Sequence, residues 1–168
     1  GDRRQRQMCI RDSIKTLEVN IMGAYEKNFP VTWEELHRNA KALAWRLNSL
    51  GPFKGIISVT RGGLVPAAVV ARELEIRLID TICISSYEGD KQEELNVIKD
   101  VQLEEDGSGW LIIDDLVDTG DTARAVRKML PKAHFATVYA KPAGRPLVDT
   151  YITAVSYTHL RAHETTPH

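Results

Sequence analysis

The stretch that most restricts this chain is Trp110–Leu111–Ile112–Ile113–Asp114–Asp115–Leu116–Val117–Asp118–Thr119–Gly120–Asp121–Thr122. An apolar run ends in two adjacent carboxylates, and a third opens a Thr-Gly-Asp-Thr turn ahead of a helix-like segment. Short apolar runs of this kind are what buried strands of parallel sheets look like. A turn of small hydroxyl and glycine residues entering a helix offers backbone N–H groups and the positive end of the helix dipole, which suit a phosphate. Acidic side chains beside a phosphate repel it unless a cation or sugar hydroxyls lie between. The segment therefore predicts a ligand carrying a phosphate and a polyol, together with a divalent metal.

The rest of the chain reads as alternating helices and strands. Thr32 and Glu35 form a capping-box pattern, and Leu36, Ala40, Leu43, Ala44 and Leu47 give helical periodicity over Trp33 to Leu50. Gly51–Pro52 stops that helix. Gly55 to Thr60 is a strand, Arg61–Gly62–Gly63 a loop, and Pro66 a first-turn residue of a helix running through Leu74. Arg77 to Ile84 is the next strand. Ser85 to Gly109 is polar and acidic, a mobile lid unless Leu95 to Val101 pairs as a hairpin. Trp110 to Ile113, Thr122 to Leu130 and His134 to Ala140 follow as strand, helix and strand. This alternation predicts an α/β fold, a mainly parallel sheet with helices on both faces. In such folds ligands bind beyond the carboxyl ends of the strands. Thr60–Arg61, Asp114–Asp115 and Lys141 all fall there.

At 168 residues, with 43% apolar and 27% charged content, the chain fits one globular domain. No window reaches the roughly 20 apolar residues of a membrane span, and no signal peptide opens it. Cys9 and Cys83 make no disulfide framework, which points to the cytosol. Residues 1–13 and 155–168 resemble translated sequencing-adapter read-through, leaving 14–154 as the domain. That core carries 17 basic and 20 acidic residues, a net charge of −3. An anionic ligand therefore needs local basic groups or a metal.

The segment at 110–122 resembles the signature of the type I phosphoribosyltransferases, which bind phosphoribosyl pyrophosphate. Gly55–Pro66, Ile84–Tyr87 and Phe135–Asp149 resemble, in order and nearly in spacing, bacterial members of that family acting on xanthine and guanine. The likeness covers about Val31 to Ile152. It implies the family fold with a mobile hood loop, and transfer of the 5-phosphoribosyl group to xanthine, guanine or hypoxanthine with release of pyrophosphate. It also implies Mg2+, a homotetramer, no nucleic-acid partner, and a cytoplasmic location with peripheral membrane association in some relatives.

By this resemblance Thr60, Arg61 and Gly62 form the pyrophosphate loop, which in the family often contains a non-proline cis peptide. Asp114 and Asp115 accept the ribose hydroxyls, with Asp115 at the metal; carboxylates serve both tasks as hard oxygen ligands. Leu116 and Val117 complete the phosphoribosyl pyrophosphate segment that continues through Asp118, Thr119, Gly120, Asp121 and Thr122. Asp118 faces the purine imidazole edge and helps remove its proton. Lys141 donates to the 6-oxo group and so rejects adenine, whose 6-amino group is itself a donor. Asp121 departs from the family's more usual glycine, and its charge should point to solvent. Ser85, Ser86 and Tyr87 match the hood loop, where Lys91 is the nearest replacement for the family's arginine. The structural readings in competition are an acidic strand end, a helix N-cap for Asp118, an ordinary Gly-Gly turn, and a surface Lys141. His37 and His134 are read as structural, and Trp33 and Trp45 as packing residues.

The family's C-terminal hood, with its base-stacking aromatic, has no counterpart after Ile152. Stacking of that kind contributes about 1–3 kcal/mol, so its absence should weaken purine binding. Three other readings use related features. A phosphoribosyltransferase for another base shares the sugar site, and a nucleotide-binding regulatory protein on the same fold should show a basic surface. A signalling receiver domain needs its Asp pair on the first strand, and here the pair comes too late.

Overall fold

A computed structural model describes residues 30–86, 95–103 and 106–155. Residues 1–13 and 156–168, Tyr87, Lys91 and Cys9 lie outside the described residues; Val155, read as the start of the C-terminal tail, is instead buried in the core, its N–H donating to Ala140 O at 2.9 Å. Helix α1 (Trp33–Asn48) begins at the expected capping box: Thr32 Oγ1 accepts from Glu35 N at 3.1 Å, and Glu35 Oε2 accepts from Thr32 N at 3.3 Å. Strand β1 (Gly55–Thr60) leads through Arg61–Gly63 into α2 (Leu64–Glu73), with Pro66 in its first turn. Next come β2 (Ile79–Ser86) and β3 (Leu95–Lys99), followed by β4 (Trp110–Val117) and α3 (Asp121–Met129). The described chain closes with β5 (His134–Ala140), a 3-10 turn (Arg145–Leu147) and β6 (Thr150–Ala154).

The strands form one sheet in the order β3-β2-β1-β4-β5-β6. All pairings are parallel except β2 with β3. The hairpin expectation for Leu95 to Val101 is thus the one realised, with Ser86 opposite Leu95. On one face, Leu36, Leu43 and Leu47 of α1 and Val70 of α2 pack on Ile56, Leu111 and Ile113. On the other, Ala123 and Val126 of α3 pack on Ile57, Ile112 and Phe135. Both faces of β4 are therefore buried, which is why its first four residues carry no alternation.

Three further readings need correction. The strand expected to stop at Ile113 continues to Val117, because Asp114, Leu116 and Val117 keep pairing with Thr137, Tyr139 and Ala140 of β5. The acidic pair sits within the strand, not after it. Trp45 is 79% exposed and Trp33 lies at the surface, so neither tryptophan is a core residue. β6 was not anticipated, since its five residues, Thr-Tyr-Ile-Thr-Ala, are too short and too polar to stand out.

Candidate active site at the carboxyl edge of the sheet

Parallel register brings the ends of β1, β4 and β5 side by side. Thr60 ends β1, Asp114 to Val117 end β4, and Lys141 follows β5, its N–H donating to Val117 O at 2.9 Å. The predicted residues of these three segments therefore converge on one edge.

The Thr60–Arg61 peptide is cis, as the family loop led us to expect. Thr60 Oγ1 donates to Ile82 O at 3.3 Å, anchoring the loop to β2, while Arg61 is exposed. Gly62 lies against Asp115: a Cβ there would come within 2.5 Å of Asp115 Oδ1. A side chain at position 62 would force the Asp115 carboxylate out of its place. This close approach tells against an ordinary Gly-Gly turn, since it ties the loop to the acidic pair.

Asp114 and Asp115 are held by local backbone bonds. Asp115 N donates to Asp114 Oδ1 at 2.8 Å, and Leu116 N donates to Asp115 Oδ1 at 2.7 Å. Asp115 is 7% exposed. Burial pushes its carboxyl up to about 6, and burial together with the Asp115 charge holds Asp114 well above the usual carboxylate range. A half-buried and a buried carboxylate side by side suit a divalent cation, which would offset their charge, or sugar hydroxyls, which would donate to them. Among the described residues no group of three or more His, Cys, Asp or Glu side chains is gathered to hold a metal. A cation held by this pair alone would take the rest of its shell from substrate oxygens and water, which is how magnesium usually binds.

Asp118 and Lys141 form a pair, Nζ to Oδ1 at 3.2 Å, with side chains 7% (Lys141) and 19% (Asp118) exposed. Lys141 is buried, so the surface-lysine reading fails. Asp118 Oδ2 is buried and accepts no hydrogen bond among the described residues. Such an orphaned acceptor carries a desolvation cost, and a substrate N–H would remove it. Nor is Asp118 the cap of α3: the N-cap is Gly120, at φ +92°, with no side-chain cap bond. The left-handed backbone there favours glycine, and a Cβ would also clash with Leu147 Cδ1.

Asp121 does not simply face solvent as expected. Its Oδ2 accepts from Thr119 Oγ1 at 3.2 Å and its Oδ1 from Arg124 Nη2 at 2.7 Å, while Arg124 Nη2 also donates to Thr119 O at 3.2 Å. Arg124 was missed by the sequence reading; its i,i+3 spacing from Asp121 was the available signal. Leu147 was missed too, because nothing in the sequence announced the 3-10 turn that presses it onto Gly120. His134 is structural as expected, with Nε2 2.8 Å from Thr150 Oγ1. His37 is exposed. Leu116 is half-buried and Val117 buried, so their contribution at the edge is through the backbone.

Comparison with known proteins agrees with this geometry. A phosphoribosyl transferase domain model matches residues 32–165. The chain is 71% identical over 139 residues to the xanthine-guanine phosphoribosyltransferase of Nitratidesulfovibrio vulgaris strain DP4, covering 82% of this chain and 84% of that protein. It is 62% identical over 133 residues to the protein of that name from Desulfotalea psychrophila, covering 79% and 82%. Among solved structures, a purine phosphoribosyltransferase from Pyrococcus horikoshii superposes with a TM-score of 0.63 at 28% identity, covering 74% of this chain and 85% of that one. The Helicobacter pylori xanthine-guanine-hypoxanthine phosphoribosyltransferase, at 16% identity, shares the fold with a TM-score of 0.62 over 79% and 94%. With a family model spanning most of its length and relatives this similar, the chain belongs to the phosphoribosyltransferase family.

Proposed function

We propose that this protein transfers the 5-phosphoribosyl group of phosphoribosyl pyrophosphate to a ring nitrogen of xanthine, guanine or hypoxanthine, releasing pyrophosphate. One observation carries the reading: Asp118, half-buried beside Lys141, keeps a carboxylate oxygen that has no partner among the described residues, at the carboxyl edge of the sheet. A 6-oxopurine supplies both complements, an N–H for Asp118 and a carbonyl oxygen for Lys141. High identity to xanthine-guanine phosphoribosyltransferases supports the same base class.

In this mechanism the amides and hydroxyls of Thr119 to Thr122 hold the 5-phosphate, and Asp114 and Asp115 accept from the ribose hydroxyls. Thr60, Arg61 and Gly62 receive the pyrophosphate. Arg61 supplies bidentate donors to its oxygens. Asp118 draws the proton from the purine nitrogen as that atom attacks the anomeric carbon. Positive charge growing on the sugar is stabilised by the carboxylates already aimed at it. Magnesium, held through Asp115, would neutralise charge on the leaving pyrophosphate.

The proposal includes a cytoplasmic location and a tetrameric assembly, as the family resemblance implies; sedimentation velocity tests the assembly. No helix among the described residues is long and apolar enough to cross a membrane. The test of function is pyrophosphate release across xanthine, guanine, hypoxanthine and adenine, with and without magnesium. Release with the three oxopurines, dependent on magnesium and absent with adenine, is expected. Release with adenine alone, or with none of the four, would overturn the proposal.

A further inference from the structure

The turn at the N-terminus of α3 has one of its donors already taken. A hydroxyl has one hydrogen to donate, and that of Thr119 is directed at Asp121 Oδ2 at 3.2 Å. The second oxygen of the same carboxylate takes the Arg124 guanidinium at 2.7 Å. The guanidinium in turn reaches back to Thr119 O at 3.2 Å. Three side chains thus close a ring over the helix end, with a carboxylate at its centre. The first intrahelical bond of α3 runs from Arg124 N to Gly120 O at 2.8 Å, so the amides of Thr122 and Ala123 have no helical acceptor. Negative charge at such an end is favourable, and here the chain supplies that charge itself.

We propose that Asp121 is an internal competitor for the substrate's 5-phosphate: its carboxylate occupies the Thr119 hydroxyl of the turn when the site is empty and must swing aside when the phosphate enters. The inference rests on reading Thr119 to Thr122 as the phosphate turn. A dianionic phosphate cannot share Thr119 Oγ1 with Asp121, and the two anions repel at this range. The side chains of Asp121 and Arg124 are 39% and 51% exposed. Both therefore have room to reorient without disturbing the core. Arg124 offsets the carboxylate's charge in the empty site and is left available when the phosphate displaces it. Asp121 thereby sets the affinity for the phosphoribosyl end of the substrate, independently of the groups that recognise the base.

The test is calorimetric titration of ribose 5-phosphate into the full chain and its Asp121→Asn, Asp121→Ser and Gly120→Ala variants, each first checked by thermal melting. Both Asp121 variants should bind about three- to ten-fold more tightly than the parent, with a gain that shrinks as salt is raised. Gly120→Ala should lose most of the binding. Unchanged or weaker binding in both Asp121 variants, with loss in Gly120→Ala, would overturn the internal competitor and leave the phosphate turn standing. Parent-like binding by a folded Gly120→Ala would instead remove the phosphate turn, and this inference with it.

Discussion

Replacing Asp118 by Asn separates chemistry from substrate capture, because the shape is kept and only the charge and basicity are lost. In the parent, Asp118 Oδ1 lies 3.2 Å from Lys141 Nζ, and the two side chains are 19% and 7% exposed. Removing one charge of a buried pair leaves the other short of compensation, though the Asn carbonyl still accepts. A stability loss of about 1–3 kcal/mol follows, a few degrees in melting temperature for a domain of this size. The chemical effect should be larger. Loss of a positioned general base costs about 10²–10⁴-fold in turnover. The 5-phosphate and pyrophosphate are assigned to other groups, so the Kd for phosphoribosyl pyrophosphate should stay within about two-fold, since binding energy spent elsewhere is unaffected. Steady-state pyrophosphate release, run well below the melting temperature, gives kcat; titration of phosphoribosyl pyrophosphate without base gives the Kd. Equal losses in both, or parent-like kcat, would refute the base role.

Gly62→Ala places a Cβ within 2.5 Å of the Asp115 carboxylate; it should raise the KM for phosphoribosyl pyrophosphate about ten-fold or more, and an unchanged KM would deny the coupling between loop and acidic pair. Lys141→Gln should cut kcat/KM for guanine by at least about ten-fold and narrow the preference over adenine, as a base panel would reveal. Asp115 makes metal-free stability depend on pH. Its folded carboxyl is raised to about 6 from 3.8, so between those values the folded state holds more protons than the unfolded one. The stabilisation is whole below about pH 4 and is lost as pH rises through 6; because Asp114 is raised together with Asp115, thermal melts of an Asp114→Asn/Asp115→Asn double variant should show a flatter profile over that window, and parallel profiles would contradict the burial argument.

Much of this fold was legible because its period and punctuation agree. Leu36, Ala40, Leu43, Ala44 and Leu47 mark one helix face, and all five are buried. Gly55–Thr60 and His134–Ala140 were bounded correctly, because each apolar stretch is flanked by turn residues or polar groups. The end of β4 was not legible: Asp114 and Asp115 look like a terminus in sequence, yet pairing with β5 carries the strand through them. The convergence of Thr60–Arg61, Asp114–Asp115 and Lys141 followed from the rule that parallel strands present their carboxyl ends together. The ion pair between Asp118 and Lys141 and the ring formed by Thr119, Asp121 and Arg124 needed coordinates. Both depend on which rotamer reaches which neighbour, and spacing alone does not fix that.

The central claim is that one sugar phosphate is held between the Thr119–Thr122 turn and the Asp114–Asp115 pair. A crystal structure with ribose 5-phosphate and magnesium tests it most directly. The account predicts the phosphate at the N-terminus of α3, with Asp121 turned away, and the 2- and 3-hydroxyls on the acidic pair. Well-occupied ligand bound elsewhere, or a ribose reversed so that its phosphate lies at Arg61, would contradict it.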